Sequence, residues 1–250
     1  MTDIRVEIPQ SDVRVLVLSR PEKRNALSRR LIADLTSFVR VAQSEGVRAI
    51  VLAGSGGAFS AGADFSDLKG DASDMEFDTD MAALTSLIEQ SPIVFFAAID
   101  GACIGAGFDL AMACDFRVAG SDAVFALPPV KMGILYNPER LARHLHCIEH
   151  GAARRLLLLA ERLNSDEAYQ AGIVTHPVVQ TANVTTVETA IMLARQAAAL
   201  PGKAQAVAKA FTNALLGSDF DPKAWQEVRI ELLSNEERRD ALRKARKPRK

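Results

Sequence analysis

The chain has 250 residues, 48% of them hydrophobic and 24% charged, with a formal net charge of −1. That is enough for one large soluble domain, or one with a smaller appendage. The near-neutral charge gives no footing for a nucleic-acid or anionic-membrane surface, and no apolar run is long enough to span a bilayer.

The N-terminus, MTDIRVEIPQ, lacks a basic-then-apolar signal pattern. Three cysteines (Cys103, Cys114, Cys147) form no CxxC pair, and their odd number argues against a disulfide framework. The expectation is a cytoplasmic protein with reduced thiols. VRVLVLS (13–19) reads as a strand, and PEKRNAL (21–27) turns into a helix over 28–44 that sets Leu31, Leu35, Phe38 and Ala42 on one face. RAIVLAG (48–54) is a second buried strand and ends in a loop over 55–68. The acidic stretch 70–80 reads as solvated, with a helix over 81–90 and a strand over 93–100. A helix beginning near Gly105 leads to strands at 115–120 and 124–127. Strands alternating with helices in this way indicate an α/β domain with crossover connections.

Past residue 138 helices dominate. Asn137-Pro138 supplies an N-cap and an N1 proline. A short helix over 164–172 is expected to be capped by Ser165 and stopped by Gly172. Extended chain follows over 173–179. From 183 onward the pattern is helical, broken at Pro201-Gly202 and over 217–222, and it ends in a basic tail that reads as a solvated helix end.

Two loops invite a phosphate-binding reading, and neither sustains it. GSGGAFSAG (54–62) lacks the Gly-Lys-Ser/Thr ending whose lysine and hydroxyl handle phosphates and magnesium, and in GAGFDL the third glycine of a dinucleotide fingerprint is Leu110. Small residues at a strand-to-helix turn have another use. They let backbone approach a ligand, and N–H groups from two such loops can grip one developing oxyanion; tight helix–strand packing is the alternative. His144, His146 and His150 crowd one helical region without carboxylates at ligand spacing, and His176 stands apart, so the reading is structural histidines and no metal.

RPEKRNALS (20–28), AFSAGADFSDL (58–68) and IGAGFDLAMACDFRVAG (104–120) resemble, in order and spacing, the enoyl-CoA hydratase/isomerase (crotonase) family, and AERLNSDEAYQAGIV (160–174) fits the region after its core. The resemblance covers nearly the whole chain. It implies an α/β fold, a spiral of β-β-α turns, with a crotonase-like core over 1–195 that binds acyl-CoA. A helical C-terminal region over 196–250 would then pack trimers or hexamers. It implies no cofactor, coenzyme A entering as part of an acyl-CoA or enoyl-CoA substrate. By position, the N–H groups of Ala63 and Ala106 would form the oxyanion hole, and Lys23, Arg24, Ala26, Asp64 and Phe65 would lie along the CoA nucleotide.

Hydratases of this family use two glutamates. The first falls on Asp109, one methylene shorter, and the second on Pro129, which can neither accept nor donate a proton. KMGILYNP (131–138) resembles a segment of the family's malonyl-type-CoA decarboxylases, whose active-site tyrosine would be Tyr136, although those relatives carry histidine where this chain has Ala63. The expectation is an enzyme acting on acyl-CoA thioesters through a stabilised enolate, nearest to hydratase/isomerase, with Asp109 as its acid–base residue. A decarboxylase using Tyr136 and a non-catalytic acyl-CoA binder or carrier stand as alternatives. The thiols of Cys103 and Cys114 flank the site without a nucleophile pattern.

Overall fold

The computed structural model describes residues 3–179, 184–215, 220–233 and 235–245. Strands β1 (Ile4–Gln10) and β2 (Val13–Leu18) form a hairpin and lead through a 3₁₀ turn, Pro21–Lys23, to helix α1 (Arg29–Ser44). Next come β3 (Ala49–Gly54), α2 (Met75–Gln90), β4 (Val94–Ile99), β5 (Ala102–Ile104) and α3 (Ala106–Ala113). They are followed by β6 (Phe116–Gly120), β7 (Val124–Ala126), a 3₁₀ turn Pro129–Met132, α4 (Pro138–Cys147) and α5 (His150–Leu158). The remainder is β8 (Leu163–Asn164), α6 (Ser165–Gln170), β9 (His176–Val178), α7 (Thr186–Ala198), α8 (Gly202–Ala214), α9 (Pro222–Leu233) and α10 (Glu236–Ala245).

One sheet runs β1-β2-β3-β4-β6-β9, parallel from β2 onward, and a second runs β5-β7-β8. This is the expected α/β architecture with a helical C-terminal region. Central strands of a parallel sheet are covered on both faces, so β3 and β4 are continuous apolar runs. On one face α1, α2 and α3 bury Leu31, Leu35, Leu84, Phe108 and Leu110 against Leu16, Ile50, Leu52 and Phe95. On the other, α7 presents Ala190, Ala194, Ala197 and Ala198 to Val15, Val51 and Phe96. These small residues recur at helical spacing and let α7 lie close to the strands. Buried Lys209 of α8 fastens the C-terminal helices. Its Nζ donates to the carbonyls of Ile88 (3.0 Å) and Ile93 (2.8 Å) and to Asp115 Oδ2 (2.8 Å), and it sits 5.1 Å from the Phe95 ring centre.

Three local readings differ from the structure. The acidic stretch over 70–80 is largely helix: α2 begins at Met75 and buries Phe77. Asp71 and Asp74 accept backbone N–H groups just before it, and acids at a helix start complement its dipole. Helix α6 is capped by Asn164, not Ser165, through a box in which Glu167 answers the cap backbone. Strand β1 went unread because it buries Ile4 and little else. Residues 217–219, and 246–250 of the basic tail, lie outside the described residues.

Candidate active site

Both glycine-containing turns of the sequence motifs meet. The loop over 58–63 runs beside β5: Ser60 N–H donates to the Ala102 carbonyl (2.8 Å) and Ile104 N–H to the Ser60 carbonyl (3.0 Å). A Cβ on Gly62 would lie 2.8 Å from the Ile104 oxygen and 3.5 Å from Ala106 N, so this approach needs glycine. Gly105, at φ 57° and ψ −119°, holds a conformation closed to other residues and turns β5 into α3.

Two peptides are thereby fixed. The Gly62 carbonyl accepts from Leu27 N–H at 2.7 Å, and the Gly105 carbonyl accepts from Asp109 N–H at 3.0 Å. All described peptides are trans, so the N–H groups of Ala63 and Ala106 point away from those carbonyls. Among the described residues neither N–H finds a protein acceptor. Two free donors at the contact of two loops are what an oxyanion hole requires.

Asp109 sits in the first turn of α3, completely buried. Its Oδ1 lies 2.7 Å from His144 Nε2, and its Oδ2 lies 2.9 Å from Arg140 Nε in a close but poorly aligned pair. Arg140 also donates to the Asp78 carbonyl (3.0 Å) and pairs with the Asp78 carboxylate, which takes a further bond from Asn137 Nδ2 (2.9 Å). Helix α4 starts where expected, with Asn137 accepting from Glu139 and Arg140 N–H and Pro138 in its first turn. It turns Arg140 and His144 inward, one helical turn apart. Oδ1 of Asp109 is therefore taken by His144, while Oδ2 faces the Arg140 guanidinium without an aligned hydrogen bond. Pro129 is buried at the start of its 3₁₀ turn and brings no titratable group.

Tyr136 precedes α4, and its hydroxyl reaches the second loop: a Cβ on Gly105 would lie 3.6 Å from Oη. That hydroxyl makes no hydrogen bond among the described residues. Burial, reinforced by the charge of Asp109, pushes the phenol well above its usual range, so it stands as a protonated donor.

Asn25 stitches the segment Lys23–Ala26 to the first loop. Fully buried at φ 56°, it accepts from Arg20 N–H (3.0 Å) and donates to the carbonyls of Ser55 (2.8 Å) and Ala58 (2.7 Å). Asp64 lies at 2.8 Å from Arg20 and 2.9 Å from Lys23. Burial alone would raise its carboxyl, but donors from Lys23, Ser66 and Arg20 outweigh it and hold the group well below the usual range. Ala26 is buried, while Lys23, Arg24 and Phe65 are exposed on this side of the molecule. Burial pushes the Cys103 thiol above its usual range and the Cys114 thiol up to about 12, which leaves both unreactive.

The structure thus brings Ala63, Ala106, Asp109 and Tyr136 into one neighbourhood, with Lys23, Ala26 and Asp64 on the flank of the first loop. The sequence reading missed Arg140, Asp78 and Asn25 and left His144 without a partner. The available signal was the pair Arg140 and His144, spaced four apart on a helix whose Leu145 faces outward.

Comparison with known proteins places the chain in a family. The family profile described as enoyl-CoA hydratase/isomerase matches residues 9–244. The protein named "Probable enoyl-CoA hydratase echA6" in Mycobacterium tuberculosis (strain CDC 1551 / Oshkosh) is 41% identical over 161 residues, 64% of this chain and 65% of that protein. The match therefore spans just under two thirds of that relative. The mouse mitochondrial delta(3,5)-delta(2,4)-dienoyl-CoA isomerase is 32% identical over 188 residues, 69% of this chain and 57% of that protein. Among solved structures, the enoyl-CoA hydratase from Thermoplasma volcanium superposes with a TM-score of 0.85 at 29% identity, covering 99% of this chain and 98% of its own. An enoyl-CoA hydratase/carnithine racemase from Magnetospirillum magneticum gives 0.88 at 26% identity, over 100% and 95%. Two free loop amides, the two-sheet core that presents them and a profile match over nearly its full length lead to one assignment: the chain belongs to the enoyl-CoA hydratase/isomerase (crotonase) family.

Proposed function

We propose that this protein binds an acyl-CoA thioester, seats the thioester oxygen between Ala63 N–H and Ala106 N–H, and stabilises the enolate or bound ester there without appreciable hydration. The observation that carries the reading is the pair of peptides locked by their carbonyls, whose N–H groups have no partner among the described residues. Asp109 then serves as a fixed part of the wall, because His144 bonds its Oδ1 and Arg140 Nε stands 2.9 Å from its Oδ2. A positioned acid or base contributes typically 10²–10⁴-fold to rate. With Pro129 at the second position, hydration falls short by at least one such factor. Lys23, Arg24, Ala26, Asp64 and Phe65 line the CoA nucleotide in this reading, with Arg24 and Lys23 offered to phosphate. The C-terminal helices pack copies into a trimer or hexamer.

The test is calorimetric binding of crotonyl-CoA beside its hydration, followed by loss of enoyl absorbance. Binding without turnover supports the proposal. Brisk hydration that collapses in a folded Asp109→Asn variant would return Asp109 to the acid–base role and overturn it.

One observation favours a second reading, decarboxylation of a malonyl-type thioester: the free, protonated Tyr136 hydroxyl beside Gly105. Loss of CO₂ leaves its electron pair on Cα as an enolate, which needs the oxyanion hole and then one proton, and no base. Tyr136→Phe should slow such a reaction about a hundredfold, measured by release of labelled CO₂. Equal rates in parent and variant would remove Tyr136 from the chemistry.

A further inference from the structure

We propose that Ser60 is a positioning residue of the oxyanion hole, setting both the direction of the Ala63 donor and its spacing from the Ala106 donor. The inference deepens the thioester reading above and rests on it. Ser60 is fully buried, three residues before Ala63, and its hydroxyl works in two directions. It donates to the Asn25 carbonyl at 2.9 Å and accepts from Gly62 N–H at 3.2 Å. The Gly62 carbonyl is already held by Leu27. Ser60 therefore constrains the amide entering Gly62 while Leu27 constrains the carbonyl leaving it, and the plane carrying Ala63 N–H has little freedom to turn.

The same residue faces the second loop. A Cβ on Gly107 would lie 2.6 Å from Ser60 Cβ and 2.8 Å from both Ser60 Oγ and the Ser60 carbonyl oxygen. Gly107 immediately follows Ala106 in the first turn of α3. The gap between the loops is thus set by a direct contact of Ser60 with a residue that has no side chain, and packed contacts of this kind transmit displacements of a fraction of an ångström. Cys103, bridged to Ser60, brings its Sγ to 3.7 Å from the Gly107 carbonyl. Ser60 touches neither acid nor ligand in this arrangement. Its effect passes through the two amides.

Butyryl-CoA labelled with ¹³C at the thioester carbonyl gives a direct readout, since two hydrogen bonds to the oxygen lower the carbonyl stretching frequency and the saturated chain cannot be hydrated. In the parent the bound band should fall below that of free butyryl-CoA. In Ser60→Ala most of that displacement should vanish and butyryl-CoA affinity should drop about tenfold, while affinity for unacylated CoA stays within twofold. Ser60→Cys, which keeps a weak donor and acceptor, should recover part of the band displacement. An unchanged band in Ser60→Ala would overturn the proposal and leave the hole itself standing, and so would equal weakening of CoA and butyryl-CoA. A parent that binds butyryl-CoA with no displacement would overturn the thioester reading and this proposal with it. If Ser60→Ala fails to fold, Gly107→Ala approaches the same contact from α3 and should erase the displacement; a parent-like band there would refute the spacing role.

Discussion

Arg140 Nε lies 2.9 Å from Asp109 Oδ2, two opposite charges buried against one another and held slightly out of line. Breaking a buried pair by removing one member leaves the other uncompensated, at about 3–5 kcal/mol, whereas replacing both by apolar residues of similar size can be nearly neutral. Asp109→Ala should therefore lower the urea midpoint, though by less than that full penalty, because Arg140 keeps its pair with Asp78. The double variant Asp109→Leu, Arg140→Met should recover only part of the loss, because it also takes from Asp78 the guanidinium that pairs with it. A double variant as unstable as the single one would show that the pair's net attraction, and not the orphaned charge, is what matters.

Asp64 predicts a pH dependence. Its folded carboxyl sits below the usual range, and the unfolded value is about 3.9. A depressed folded value stabilises the native state fully above the unfolded one, and the benefit is lost as pH falls below about 4 toward the folded value. Asp64→Asn should thus be less stable than the parent at pH 7, with the gap shrinking as the pH is lowered through 4 to 3. Denaturant midpoints at several pH values measure it, and a constant gap would contradict the ion-pair account.

Lys209 makes a local prediction. Lys209→Met would leave the carbonyls of Ile88 and Ile93 and the Asp115 carboxylate without their shared donor, a loss on the order of 3 kcal/mol. Amide hydrogen exchange should speed up in α8 more than in β2 or β3. Uniform acceleration across the molecule would mean that α8 unfolds only with the whole.

Gly101 and Gly46 separate strain from collision. Both have positive φ, 57° and 71°, but a Cβ on Gly101 would lie 2.0 Å from the Gly57 oxygen while one on Gly46 meets open space. Alanine at Gly46 should cost about 1–2 kcal/mol for its left-handed backbone alone. At Gly101 the cost should be larger, enough to separate the two melting temperatures by several degrees. Equal melting temperatures would show that the loop at Gly57 yields freely.

Much of this architecture was readable in the sequence because its signals are local. Apolar runs mark β2, β3 and β4, and Asn137-Pro138 marks the start of α4 on side-chain chemistry alone. The turn at Gly105 needs glycine, and its motif brought the Ala63 and Ala106 amides into consideration. What escaped depends on distant partners. Acidic residues before α2 read as solvated until Asp71 and Asp74 are seen to accept the N–H groups of Ser73, Lys69 and Gly70 ahead of it, and Asp78 until Arg140 is seen to answer it. Helix α4 inverts the usual rule, burying Arg140 and His144 and exposing Leu145. No periodicity reveals that inversion, because its cause is two carboxylates on other helices, Asp109 and Asp78. Asp109 illustrates the limit: its place in the motif was legible, and the Arg140 and His144 side chains that meet its carboxylate were not.

The donors of Ala63 and Ala106 belong to the main chain, so any change of side chain other than to proline leaves them in place, whereas the acidic groups that would work beside them are erased by one substitution each. A fold arranged this way forgets its reaction more easily than it forgets its ligand. On the thioester reading proposed above, descendants of one ancestor can exchange chemistries, or abandon chemistry altogether, while continuing to hold the same class of ligand in the same grip.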